Sequence, residues 1–145
     1  MKVALAADHG GWELKNAIKD CLREARVEYH DFGCHSAAAA EYVPLALALS
    51  GAVARGEFDF GILCCGTGIG MSIAANKVKG IRAACCTDCY SARMTREHND
   101  ANVLCLGGRV LGTGAALELV QVFLTAKAST EERHQLRVQQ LDDIL

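Results

Sequence analysis

Between Gly61 and Lys77 the chain passes from a continuous apolar stretch, through glycines at every second position, into helix-forming residues. Gly61-Ile62-Leu63-Cys64-Cys65 shows no polar alternation, so it reads as a strand buried on both faces. Gly66, Gly68 and Gly70 follow, and glycine accepts backbone angles and close approaches that a side chain forbids. Met71, Ile73, Ala74 and Ala75 then suit a helix lying on a sheet. A strand, glycine loop and helix start leave free N–H groups at the turn, which favour anions and electron-rich oxygens. Cys65 stands where the strand enters that loop, the first candidate for chemistry. Cys64, by alternation, faces the opposite side and belongs to the core.

Strand and helix alternate along the whole chain. Lys2 to Ala7 reads as a buried strand ending in Asp8-His9-Gly10-Gly11, before a helix with an apolar stripe of Leu14, Ala17, Ile18, Cys21, Leu22 and Ala25. Val27 to Phe32 is a more polar strand, placed near a sheet edge. Gly33 to Glu41 is a loop whose Ala37–Ala40 run is expected to be partly helical. Pro44 fits the first turn of a helix over Val43 to Arg55. Asp59 to Cys65 gives a third strand and Ile69 to Val78 its helix. Ile81 to Thr87 is a fourth strand with a helix from Cys89 to Glu97, and Asn102 to Leu106 a fifth, closed by Gly107-Gly108-Arg109. Helices over Thr113 to Ala126 and Thr130 to Ile144 finish the chain. Such alternation predicts an α/β fold, a three-layer αβα Rossmann-like arrangement around a five-stranded parallel sheet, with residues 1–145 as one domain. Ligands of such sheets bind beyond the carboxyl ends of the strands. Asp8, His9, Cys65, Thr67 and Gly107–Arg109 lie there, and His98 is read as ending the connection at the same edge.

A formal net charge of −2 gives no electrostatic case for nucleic acid or an anionic membrane. No apolar run is long enough to span a bilayer, and Met1 to Asp8 lacks the apolar region of a signal peptide. A cytoplasmic setting is therefore expected, in which most of the eight cysteines stay reduced and pack as small hydrophobes. Cys86 and Cys89 form a C-x-x-C between strand and helix, which keeps a thiol redox protein open as an alternative. They cannot close a zinc site alone, and the glycine loop is neither a P-loop nor a dinucleotide fingerprint. His9 beside Asp8, and His98 beside Asn99, read equally as functional groups or as surface histidines; His30 and His35 are read as surface. Arg133 and Arg137 share a helical face with His134 between them, either a phosphate clamp or a solvated face among Glu131, Glu132, Asp142 and Asp143. Arg109, at a strand end, is the better-placed anion ligand.

Taken together, Ala7-Asp8-His9-Gly10-Gly11, Cys65-Gly66-Thr67-Gly68-Ile69-Gly70, Ala74-Ala75-Asn76-Lys77, Gly80-Ile81-Arg82-Ala83, Arg96-Glu97-His98-Asn99-Asp100-Ala101-Asn102, Leu106-Gly107-Gly108-Arg109 and Arg133-His134 with Arg137 resemble the type B ribose-5-phosphate isomerases, the family that includes the galactose-6-phosphate isomerase subunits. The resemblance implies a strand order 2-1-3-5-4 and a homodimer or dimer of dimers. It implies aldose–ketose isomerisation of a sugar phosphate through an enediolate, with neither metal nor organic cofactor. On that likeness Cys65 is the base, Thr67 shuttles the hydroxyl proton, and the N–H groups of Gly66, Gly68 and Gly70 hold the enediolate. His98 opens the furanose ring and Asp8 and Asn99 bind hydroxyls. His9, Arg133 and Arg137 hold the phosphate with Arg109, which reaches across a dimer interface. Ribose 5-phosphate is the expected substrate, with allose or galactose 6-phosphate as alternatives and a catalytically silent phosphosugar-binding module as a third option. Two departures bear on the sugar: Glu41-Tyr42-Val43-Pro44 replaces a compact Asp-Tyr-Pro, and Glu131-Glu132 replaces Gly-Gly ahead of Arg133.

Overall fold

A computed structural model describes residues 1–144. It contains β1 (Lys2–Ala7), α1 (Trp12–Glu24), β2 (Glu28–Asp31), α2 (Tyr42–Ala54), β3 (Phe60–Cys65), α3 (Ile69–Ala75), β4 (Ala83–Cys85), α4 (Cys89–Asn99), β5 (Val103–Gly107), α5 (Thr113–Thr125) and α6 (Glu132–Asp142). The five strands pair in the order β2-β1-β3-β5-β4, all parallel, as the resemblance implied. Each return to the starting edge uses a helix, so every strand begins at one edge of the sheet and ends at the other.

Alternation along the central strands divides the core in two. Val3, Leu5, Ala7, Ile62, Cys64, Leu104 and Leu106 pack beneath α1 and α5. Ala4, Ala6, Leu63, Cys65, Val103 and Cys105 pack beneath α2 and α3. Cys64 and Cys65 therefore face opposite layers, as expected. Local polar bonds reset several element ends. The Ala37–Ala40 run is not helical: the Ala38 N–H donates to Ser36 Oγ at 3.3 Å, and the exposed run has no face to bury. Helix α3 stops at Ala75 rather than Val78, because the Asn76 side chain bonds Ser72 O and both backbone groups of Ala83 at 2.8–2.9 Å. The strand expected over Ile81 to Thr87 shortens to three residues. At its far end Asp88 caps α4 by accepting from Ser91 N at 2.7 Å. Helix α4 in turn runs on to Asn99, where Asp100 adopts a left-handed conformation with φ 46°.

One residue in the apolar stripe of α1 was not foreseen: Lys15 is 1% exposed. Its ammonium donates to Asp31 Oδ1 at 2.8 Å and to the carbonyl of Cys34, while Lys19 donates to Asp31 Oδ2 at 2.9 Å. This ties α1 to the end of β2 and to the loop that follows. Burial pushes the Asp31 carboxyl up, but the bonds from Lys15, Lys19 and the Gly33 N–H outweigh it and leave Asp31 below the usual carboxylate range. Asp31→Asn leaves a buried ammonium without its counter-charge and is expected to cost about 3 kcal/mol at neutral pH, read by denaturant unfolding. A depressed carboxyl stabilises above its unfolded pKa and loses that contribution as pH falls. The gap between wild type and Asp31→Asn should therefore close as pH drops through the carboxylate range.

Candidate active site

Three strand ends meet at the carboxyl edge. After β1, buried Asp8 accepts from the N–H groups of Gly10 at 2.8 Å and Gly11 at 3.2 Å through Oδ1. This tight turn starts α1 and leaves Oδ2 without a partner among the described residues. His9 is exposed, and its Nδ1 accepts from Ala40 N at 3.3 Å. In the neutral ring Nε2 then carries the proton, so His9 presents a donor. After β5, Gly108 N donates to Cys65 O at 2.8 Å and Arg109 N to Gly66 O at 3.0 Å. These bonds bring Arg109 over the glycine loop, its guanidinium 3.2 Å from where a Gly66 Cβ would stand.

The loop after β3 wraps around the thiol of Cys65. Gly68 takes φ 79°, and a Cβ there would sit 2.9 Å from Cys85 Sγ and from the Leu106 backbone. That turn aims the Gly68 N–H at Cys65 Sγ, 3.1 Å away. A negatively charged sulfur accepts such a bond more strongly than a thiol. The N–H groups of Gly66 and Thr67, in the same loop, find no acceptor among the described residues. Thr67 is exposed, with Oγ1 accepting from Ile69 N at 3.3 Å. Gly70 lies against the ring of Tyr42, 2.9 Å from the position of its Cβ, so Tyr42 walls the loop. Tyr42 belongs to the Glu41-Tyr42-Val43-Pro44 stretch expected to bear on the sugar, whereas Cys85, whose thiol donates to Thr67 O at 3.5 Å, was not expected here.

His98 and Asn99 are elsewhere, which corrects the expectation that His98 shares an edge with His9. Helix α4 returns the chain between parallel strands, so its last residues reach the amino edge. Arg96 fixes it there, donating to Asp100 Oδ1 at 2.6 Å and Ala101 O at 2.7 Å and stacking 4.7 Å from the ring of Phe60, the first residue of β3. Arg82, leading into β4, donates to the Asn99 carbonyl at 3.1 Å. Beside this end lies α6, with His134 stacked on His98 at 4.3 Å between centroids. Arg133 donates to Glu131 at 2.7 Å, and Arg137 is exposed with no ion-pair partner among the described residues. One chain thus carries two clusters at opposite edges: Asp8, His9, Cys65, Thr67 and Arg109 at one, His98, Asn99, Arg133 and Arg137 at the other.

Burial makes several of the other cysteines poor nucleophiles. Burial pushes Cys86 up to about 11 and Cys64 higher still, and Cys89 is half-buried in the first turn of α4. The described residues contain no group of three or more His, Cys, Asp or Glu side chains arranged to hold a metal ion, and no helix long and apolar enough to cross a membrane.

The family profile described as Ribose/Galactose Isomerase matches residues 3–141. Ribose-5-phosphate isomerase B of Escherichia coli (strain K12) is 46% identical over 143 residues, covering 99% of this chain and 95% of that protein. The solved structure of Clostridium thermocellum ribose-5-phosphate isomerase B superposes with a TM-score of 0.96 at 49% identity, covering 99% of this chain and 97% of that one. That of the Trypanosoma brucei type B ribose 5-phosphate isomerase gives 0.95 at 48% identity, covering 99% and 98%. Gly68→Ala forces a side chain into left-handed backbone and against Cys85, and is expected to lower stability by about 1–3 kcal/mol. Gly114→Ala, in the exposed first turn of α5 with nothing within 4 Å, should not destabilise the protein. Thermal melts of both variants check the pair.

Proposed function

The chain belongs to the Ribose/Galactose Isomerase family and is a sugar-phosphate isomerase, and we propose that it interconverts ribose 5-phosphate and ribulose 5-phosphate with Cys65 as the base. The observation that carries this reading is Cys65 Sγ at the mouth of β3, accepting from the Gly68 N–H of the glycine loop at 3.1 Å. Proton transfer beside a carbonyl needs one base and preorganised donors where the oxyanion forms. The Cys65 thiolate takes the proton from C2 of the open-chain aldose, and the electron pair moves through the C1–C2 bond to O1. The enediolate rests on the N–H groups of Gly66 and Thr67, with those of the loop up to Gly70 completing the cradle. The thiol returns its proton to C1 while the O2 hydroxyl proton passes to O1 by way of Thr67. No step requires a metal.

Two half-sites at opposite edges imply a shared site. A second copy placing its amino-edge cluster over this carboxyl edge supplies His98 of the partner subunit, which protonates the ring oxygen as the C1–O bond breaks and the anomeric hydroxyl gives up its proton. It also brings Asn99, Arg133 and Arg137 to face Asp8, His9 and Arg109, completing hydroxyl and phosphate contacts. An exposed apolar face beside the loop supports this: Tyr42, Val43 and Leu47 of α2 and Ile69 and Ile73 of α3 are 37–58% exposed. The family's own description also covers galactose, so a six-carbon sugar phosphate is the second reading.

Turnover measured on ribose 5-phosphate, allose 6-phosphate and galactose 6-phosphate tests the substrate. The pentose should have the highest kcat/KM, and a hexose phosphate exceeding it would overturn the assignment. Cys65→Ala should abolish isomerisation with sugar-phosphate binding kept within about tenfold, whereas Cys64→Ala should leave turnover near wild type. Arg137→Ala should raise KM for ribose 5-phosphate by about 10- to 100-fold, since a charge-assisted contact is worth about 1.5–3 kcal/mol.

A further inference from the structure

Helix α6 is mostly polar, and the single side chain it fully buries is His134. What covers that side chain is His98. The two imidazoles lie face to face, centroids 4.3 Å apart and planes within 2° of parallel. Nδ1 of His134 is buried and has no hydrogen-bond partner among the described residues. An aliphatic side chain would fill such a position without stranding a polar nitrogen. The position therefore uses the flatness of the ring. His98, the penultimate residue of an α4 that is half-open to solvent at this end, has no hydrogen bond of its own side chain to fix its rotamer among the described residues.

We propose that His134 is a positioning residue for His98: a flat, uncharged plate that holds the plane of the imidazole opening the sugar ring, and carries no proton itself. This rests on the reading of His98 as the ring-opening group. Glu97 of α4 and Asp100 just after it face the pair, as do Glu131 ahead of α6 and Arg133, Arg137 and Asp142 on it. Burial holds His134 below the usual histidine range, His98 and Arg133 push it further, Arg137 adds a smaller effect in the same direction, and Glu131 opposes them. His134 is thus held toward the neutral form where an ordinary histidine begins to charge, and the ring it lays against His98 is uncharged there. An imidazolium rests favourably on a neutral aromatic face and unfavourably on a second cation. A plate that fixes the acting ring lowers the cost of reaching a productive alignment, an effect that falls on kcat.

The test measures kcat and KM for ribose 5-phosphate, with thermal melts as the folding control, in His134→Ala, His134→Phe, His134→Gln, His98→Asn and the His98→Asn/His134→Ala double variant. His134→Ala should lose about tenfold in kcat with KM within threefold. His134→Phe, which keeps a flat ring and cannot carry a proton, should stay within about threefold of wild type, with an unchanged pH profile. His134→Gln, smaller but planar, should fall between them and stands in if the larger ring does not fold. In the His98→Asn background, His134→Ala should cost nothing further, since its effect runs through His98. Equal losses in the Phe and Ala variants, an Ala variant within twofold of wild type, or additive losses in the double variant would overturn the plate. Unimpaired turnover by His98→Asn would instead remove the reading of His98, and with it the residue that serves it.

Discussion

Everything about this molecule follows from the parallel pairing of its strands. Because β1, β3 and β5 all end at one edge, three turns of different sequence converge on the same few ångströms. Asp8 closes one, the glycine loop forms another, and Gly108 and Arg109 bond back to Cys65 and Gly66 in the third. The same rule sends each connecting helix back to the opposite edge. Residues at the end of α4 are thereby carried away from the turns that precede α1 and α3. On the proposed function, a chain with this topology carries half of a site at each edge, and a second copy joins them.

Within the carboxyl-edge half, the chemistry depends on one backbone geometry. The left-handed Gly68 turns its N–H toward Cys65 Sγ, and the same loop carries the N–H groups of Gly66 and Thr67, without acceptors among the described residues. On the proposed function, base and oxyanion donors are held by a single loop whose ends are fixed by β3 and β5. Little reorganisation is left to the moment of proton transfer, which is where preorganised dipoles act most strongly. The six other half-buried or buried cysteines accept no such bond among the described residues, and burial makes several of them inert.

The sheet was legible in the sequence because continuous apolar runs and the glycine loop are local signals. Lys2–Ala7 was read to the residue, and the opposed facing of Cys64 and Cys65 followed from alternation alone. His98 was misplaced because nearness to a strand says nothing about which edge is meant: a residue before β5 sits at its amino end. Lys15 was hidden in an apolar stripe, since its partner Asp31 lies sixteen residues on and only the fold brings them together. His134 was visible beside Arg133, yet its stack on His98 joins two helices with no shared pattern. Element ends moved by one to three residues, as at the end of α3, where the Asn76 side chain took over a backbone bond.

The measurement that bears most directly on the split site is subunit complementation. Cys65→Ala and His98→Asn disable opposite halves, so each homodimer should be inactive. A mixed dimer pairs one site carrying both lesions with one site carrying neither. Denaturing and refolding an equimolar mixture should restore about a quarter of wild-type turnover, because half the dimers are mixed and each has one intact site in two. Heterodimers demonstrated by native mass spectrometry with no recovered activity would contradict the account, placing Cys65 and His98 in the same subunit's site or in none together.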